Sequence, residues 1–263
     1  MKLRFSPHFT PSAASLRGLV LAVLVLAQLS AQRSQPTEPS GISGIGRLVS
    51  DAIARHDLPG AVILIGRGGE VVYHQAFGQR AVRPVPEPMT QDTIFDLASL
   101  TKVVATTTSV MKLVEEGRIQ LTDPVAHYIP AFGQYGKRGI TIHHLLTHVS
   151  GLRPDLDLDV EFSGPVAALE RVADEVPVAA PGTRFIYSDI NFVLRGEIVE
   201  RASGERLDRY AKRNVFDPIG MKDTTFLPPE GLRSRIAPTE RCDPLAWPCT
   251  RPVCGTSSRP WSG

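Results

Sequence analysis

The sequence predicts an α+β fold, with an antiparallel sheet flanked by helices and a helical lobe beside it. Three observations predict it. Two strand-like runs, Ala61–Ile65 and Val71–Phe77, stand on either side of Gly68-Gly69, the signature of a β-hairpin. A long stretch from Leu100 to Val114 then places apolar residues at helical spacing. After it, nearly every periodic segment is helical.

Each element follows from local chemistry. Apolar residues at Ile42, Ile45, Leu48, Val49, Ala52 and Ile53 mark a first helix, which Pro59-Gly60 ends. The hairpin comes next. Arg80–Pro88 holds three prolines and reads as loop, and Thr93–Leu97 as a brief strand. Leu100, Val103, Val104, Thr107, Val110, Met111 and Val114 form the long helix, closed by Gly117. Thr106–Thr108 are poor helix formers, which predicts a helix stabilised by burial on most sides. Thr141 is placed to cap Ile142–Val149, with Gly151 as the stop. Pro165 suits the first turn of a helix running to about Val176. Ile190, Val193, Leu194, Ile198 and Val199 mark another, ended at Ser203-Gly204, and Leu207–Phe216 a last one, stopped by Pro218.

The chain has 263 residues, 42% apolar and 21% charged, so wholesale disorder is excluded. Lys and Arg number 29 against 27 Asp and Glu, leaving no basic excess to recruit nucleic acid. Lys2, Arg4 and Arg17 precede an apolar run from Leu19 to Leu29, with small residues at Ala27, Ser30 and Ala31. That run has the length of a signal-peptide core and is too short for a spanning helix. Residues 1–31 are therefore expected to be a signal peptide and 32–40 a polar linker. The product is expected to be periplasmic or secreted, with no integral membrane segment. Residues 32–241 contain no cysteine, so disulfides do not hold the main body together. All three cysteines, Cys242, Cys249 and Cys254, and both tryptophans fall in 241–263, an irregular proline-rich tail with spacings that match no common zinc site.

Three features bear on chemistry. Ser99-Leu-Thr-Lys102 is an S-x-x-K tetrad. Three residues along a helix bring both side chains to one face, and a serine needs such a neighbouring base to become a nucleophile. The tetrad recurs by chance: Ser109-Val-Met-Lys112 repeats it in mid-helix. There the hydroxyl is expected to bond its own backbone. Tyr187-Ser-Asp189 enters a helix after the Pro181-Gly182 turn, and a phenol beside a cation can shuttle protons. On spacing alone, a half-buried tyrosine beside an aspartate cap is the plainer reading. His144 and His148 stand four apart, but without the glutamate of H-E-x-x-H they read as packing histidines rather than zinc ligands. No cofactor or metal is implied.

Together these segments resemble the serine β-lactamase-related family: class C β-lactamases, D,D-peptidases and esterase-like relatives. The resemblance runs from about Ile45 to Pro238. It rests on Asp96–Lys102 (DLASLTK), Gly117–Val125 (GRIQLTDPV), Ile140–Leu152 (ITIHHLLTHVSGL), Pro181-Gly182, Tyr187-Ser-Asp189 and Pro218–Met221 (PIGM), in the family's order. It implies a β-lactamase/transpeptidase-like fold and a ping-pong acyl transfer. Ser99 would attack a carbonyl, Lys102 take or relay its proton, and Tyr187 pass it to the leaving group. Asp189 would contact substrate.

Two departures stand out. The family usually carries Asn where Asp189 stands. An amide can donate to a substrate carbonyl, whereas a carboxylate only accepts, which favours neutral esters over anionic β-lactams. The family's third motif, a Lys- or His-x-Gly on the strand lining the site, is missing: the K-x-G triplet here, Lys137-Arg-Gly139, precedes Tyr187. The domain, 41–240, is therefore expected to lack the C-terminal strands of the sheet. The expected function is an exported serine hydrolase acting on small-molecule esters or amides, peptidoglycan-derived ones included. The alternative is a truncated, inactive member or a non-enzymatic cell-wall or partner-binding protein.

Overall fold

The computed structural model describes residues 42–157 and 162–239. The expected signal peptide, linker and Cys-containing tail lie outside them. The described residues fall into two units.

The first unit holds 42–57 and 63–75. Helix α1 (Ile45–Ala54) begins one turn later than its apolar pattern, after Gly44. Strands β1 (Gly60–Arg67) and β2 (Glu70–Ala81) form the expected hairpin. Its tip lies in this unit. Gly68 and Gly69 both have positive φ, 61° and 85°, the two-residue turn whose twist matches paired strands.

The second unit holds 58–62 and everything from Ala76 on. At the hairpin base, Gly60 is forced by proximity: a Cβ there would lie 2.5 Å from the Gln79 carbonyl oxygen. The Arg80–Pro88 segment is not all loop. Strand β2 continues to Ala81, and Glu87–Pro88 forms a short edge strand β3 against it, giving a three-stranded antiparallel sheet of order β1-β2-β3. Pro88 is tolerated because an edge strand leaves one N–H side unused. Thr93–Leu97 is likewise not a strand. It makes one parallel bridge, Ile94 to Ile236, fastened by Arg235, which pairs with Asp92 and Asp223.

The Ser99 helix departs from a regular α-helix. Lys102–Thr107 is wound as a π-helix before α2 (Thr108–Glu115) resumes normal pitch. The Thr108 hydroxyl donates to the Val103 carbonyl at 2.9 Å, across the wide turn. Nor is this helix buried on most sides. Leu100, Val103 and Met111 are exposed, while Val110 and Leu113 are fully buried.

The rest is the helical lobe: α3 (Val125–Tyr128), α4 (Ile142–Leu146), α5 (Gly164–Asp174), α6 (Ile190–Ser203) and α7 (Leu207–Ala211). The last winds on as a π-turn over Lys212–Phe216. One core joins them, with Phe132, Ile140, Leu145, Ile190, Leu194 and Tyr210 at its centre. Thr141 caps α4 as expected, in a reciprocal box in which the His144 ring accepts the Thr141 N–H. The helix ends at Leu146, earlier than its apolar pattern.

Lys137 is fully buried in this lobe. Its ammonium donates to the Ala173 carbonyl at 2.7 Å and to that of Glu175, at the C-terminal end of α5. A lysine there satisfies carbonyls that the helix end leaves unpaired. The K-x-G triplet is thus a helix cap.

Candidate active site

Asp96 shapes the turn that leads into Ser99. Its carboxylate accepts the Ala98 N–H at 2.8 Å, and Ala98 takes a positive φ of 42° immediately before Ser99. A non-glycine residue in that region is strained, and such strain persists where the surroundings enforce it. Ser99 is thereby presented at the head of the helix. Its N–H makes no hydrogen bond to another backbone group among the described residues.

Lys102 lies one turn on. Its Nζ donates to Ser99 Oγ at 3.0 Å and stands 2.8 Å from Asp189 Oδ1. The Tyr187 ring centre is 5.2 Å from the same nitrogen and the Phe192 ring 5.4 Å. The structure therefore brings Ser99, Lys102, Tyr187 and Asp189 together around one ammonium. Burial alone would lower the proton affinity of Lys102. The Asp189 carboxylate and Tyr187 phenol outweigh it and hold the ammonium above the ordinary lysine range.

Asp189 occupies the N-cap position of α6, but its side chain caps nothing. It turns to Lys102 instead, so the aspartate-cap reading is set aside. Ser109 is fully buried with its Oγ unpartnered among the described residues, rather than bonded to its own backbone. Lys112 points elsewhere, to Glu115 at 2.7 Å. The second tetrad is therefore not a Ser–Lys pair.

The Tyr187 segment is held from 148–154, a role that the sequence did not reveal. His148 sits outside α4 with φ 58°, so it shares no helical face with His144. Its carbonyl accepts the Ile186 N–H at 2.8 Å and its Nδ1 the Ser188 N–H at 3.0 Å. The Ser188 hydroxyl donates to the Arg153 carbonyl and the Asp189 N–H to that of Pro154. The positional signal was the positive-φ demand at His148, which helical periodicity cannot show.

A cleft of about 540 Å³ opens beside Ser99, lined by Lys102, Asp189, the apolar Leu156, Leu169 and Phe192, and the acidic Asp155, Glu197 and Glu200. That size suits a small organic substrate. Among the described residues, no cluster of three or more His, Cys, Asp or Glu is placed to hold a metal, and no helix is long and apolar enough to cross a membrane.

A β-lactamase family model matches residues 45–253. This chain belongs to the β-lactamase family. It is 35% identical over 211 residues to esterase EstB of Burkholderia gladioli, covering 70% of this chain and 51% of that one. It is 32% identical over 189 residues to the "Putative D-alanyl-D-alanine carboxypeptidase" of Escherichia coli K12, covering 65% and 44%. Among solved structures, the octameric penicillin-binding protein homologue from Pyrococcus abyssi superposes with a TM-score of 0.67 at 32% identity, over 75% of this chain and 47% of that one. The fold is the β-lactamase/transpeptidase-like one. The chain spans about half the length of the curated relatives that it matches.

Proposed function

We propose that this β-lactamase-family chain carries the nucleophile half of an exported serine hydrolase that forms an acyl-enzyme on neutral esters. The observation that carries the reading is the 3.0 Å contact between Ser99 Oγ and Lys102 Nζ, beside Tyr187 and Asp189. Ser99 Oγ bonds to the substrate carbonyl carbon, and its proton passes to the neutral form of Lys102. As the ester C–O bond breaks, Tyr187 gives its proton to the departing alkoxide and takes one back from Lys102, and water then cleaves the acyl-enzyme by the reverse path. The Ser99 N–H supports the oxyanion. Asp189, already paired with a cation, adds no donor for a substrate carboxylate. The cleft lining joins Leu156, Leu169 and Phe192 to the acidic Asp155, Glu197, Glu200 and Asp208, which repel an anion, and with the likeness to an esterase this favours an uncharged acyl group.

The pH dependence tests this. Because Asp189 and Tyr187 hold Lys102 charged, its basic form is scarce at neutral pH. Fluorophosphonate labelling of Ser99, and hydrolysis of a chromogenic short-chain ester, should climb as the medium is made alkaline. Asp189→Asn removes the carboxylate that favours the ammonium, so the proton affinity of Lys102 falls and the climb moves to lower pH. A labelling profile that Asp189→Asn leaves in place would remove Lys102 from the role of base.

One observation favours a second reading, a non-catalytic family member: the K-x-G triplet is spent on capping α5 and does not reach Tyr187. Absence of labelling at every pH would decide for it. Export is checked separately. Mass spectrometry of the mature protein should find a first residue between about 28 and 35, the small-residue zone expected for signal cleavage. An intact Met1 on a membrane-bound product would refute export.

A further inference from the structure

Three consecutive residues of the Tyr187 segment are attached to one side chain and its backbone. The His148 carbonyl accepts Ile186 N–H, its Nδ1 accepts Ser188 N–H, and its ring stacks on Tyr187 with centroids 4.6 Å apart and planes 27° from parallel. Phe185 and Phe192 close the other sides at 5.8 and 5.4 Å. His148 takes a left-handed φ of 58° to make these contacts, a conformation uncommon outside glycine but one that histidine adopts more readily than most residues.

The proton arrangement on the ring is fixed by its partners. A backbone N–H can only donate, so the Nδ1 facing Ser188 must carry a lone pair. A second donor agrees. Leu152 N–H donates to Ser150 Oγ at 3.2 Å, that hydroxyl donates to Asn191 Oδ1 at 2.7 Å, and the Asn191 amide nitrogen then faces His148 Nδ1 at 3.3 Å. The neutral imidazole carries its hydrogen on Nε2.

We propose that His148 is the positioning residue of Tyr187, and that protonation of its Nδ1 releases the phenol from the site. The proposal rests on the acyl-enzyme reading above. A proton on Nδ1 sets a third donor against two donors that have no freedom to turn away, so the Ser188 and Asn191 contacts must both open. The charged groups facing the ring are Arg195 and Asp189 at α6 and Lys102 on the Ser99 helix, and the Tyr187 ring stacks on it. Burial first, then the Arg195 and Lys102 cations, depress the imidazole's proton affinity, with Asp189 opposing them. The ring is therefore neutral, and Tyr187 held, at neutral pH. The loss comes on the acid side, below the ordinary histidine range.

The test combines two readouts on the whole chain. In ¹⁵N NMR, His148 Nδ1 should be unprotonated at neutral pH and titrate below ordinary histidines, with the ring–ring NOE to Tyr187 vanishing as it does. In fluorophosphonate labelling, His148→Phe keeps an aromatic face but loses the acceptor. The Ser99 labelling rate should fall by about tenfold or more, as loss of alignment does, and the acid-side loss should disappear from what remains. His148→Asn restores a carbonyl acceptor and tolerates the left-handed backbone. It should recover part of the rate without the acid-side titration. A protonated Nδ1 at neutral pH, or an NOE that survives the titration, overturns the proposal even if Ser99 never labels. Wild-type labelling by His148→Phe with an unchanged pH profile overturns it as well. Failure of labelling in every variant, with the NMR as expected, overturns only the acyl-enzyme reading.

Discussion

Ser99→Ala is expected to abolish covalent labelling of the chain by a fluorophosphonate, while Ser109→Ala leaves it intact. Both serines begin an S-x-x-K tetrad, so sequence spacing treats them alike. The structure separates them. Ser99 Oγ accepts a hydrogen bond from Lys102 Nζ and opens onto the cleft. Ser109 is sealed in the lobe and Lys112 is engaged with Glu115. Ser109→Ala removes a buried hydroxyl that has no partner among the described residues, so its effect on stability should be neutral or favourable. Intact-mass spectrometry reads both results in one experiment. Labelling that survives Ser99→Ala would sink the assignment of the nucleophile.

Gly151→Ala is expected to destabilise the fold strongly. Gly151 has φ +80°, and a Cβ there would stand 2.0 Å from the Ala179 carbonyl oxygen, on backbone that a rotamer change cannot move. The Val178 N–H donates to the Gly151 carbonyl at 2.8 Å, so the two segments cannot separate without losing that bond. A loss of about 3 kcal/mol or more follows from combining a disallowed backbone with a steric clash. For a chain of this size that lowers Tm by roughly 6–12 °C. Gly139→Ala is the control, since nothing lies within 4 Å of its added Cβ and its φ is not positive. Thermal melts followed by circular dichroism compare the two. Equal Tm values would show that the 149–151 segment yields more easily than its contacts imply.

Much of the fold was legible because local signals decide it. Gly68-Gly69 sets a turn that only paired strands satisfy. Thr141 caps α4, Pro165 lies in the first turn of α5, and Gly204 ends α6 in a left-handed conformation. Ser99 and Lys102 meet because three residues of one turn bring them to the same face, which spacing can state outright. The misreadings share a different cause. Pro88 pairs with Gln79 on an edge that only the assembled sheet defines. Ile236 returns to Ile94 across 142 residues of chain. The π-wound stretch over Lys102–Thr107 keeps an apolar pattern that an α-helix would share. His148 lies within the expected α4 run but two residues past Leu146, where the backbone has already left the helix. In each case tertiary contact overrides a local preference, and local preference is all that periodicity reports. Asp189 was read as a cap or a substrate contact, and its pairing with Lys102 required knowing which helix start faces which.

The attachment of Tyr187 to His148 has a consequence for the order of assembly. The Ser99–Lys102 contact spans three residues, whereas Ser188 meets His148 across 40 and Asp189 meets Lys102 across 87. The first contact is available to the helix as soon as it winds. The others demand that long loops close, and that entropy must be met before their contacts repay it. On the acyl-enzyme reading, loop closure orders assembly: the Ser99–Lys102 pair would form before Tyr187 and Asp189 join it, and a partly folded molecule would hold the serine and its amine without the proton relay.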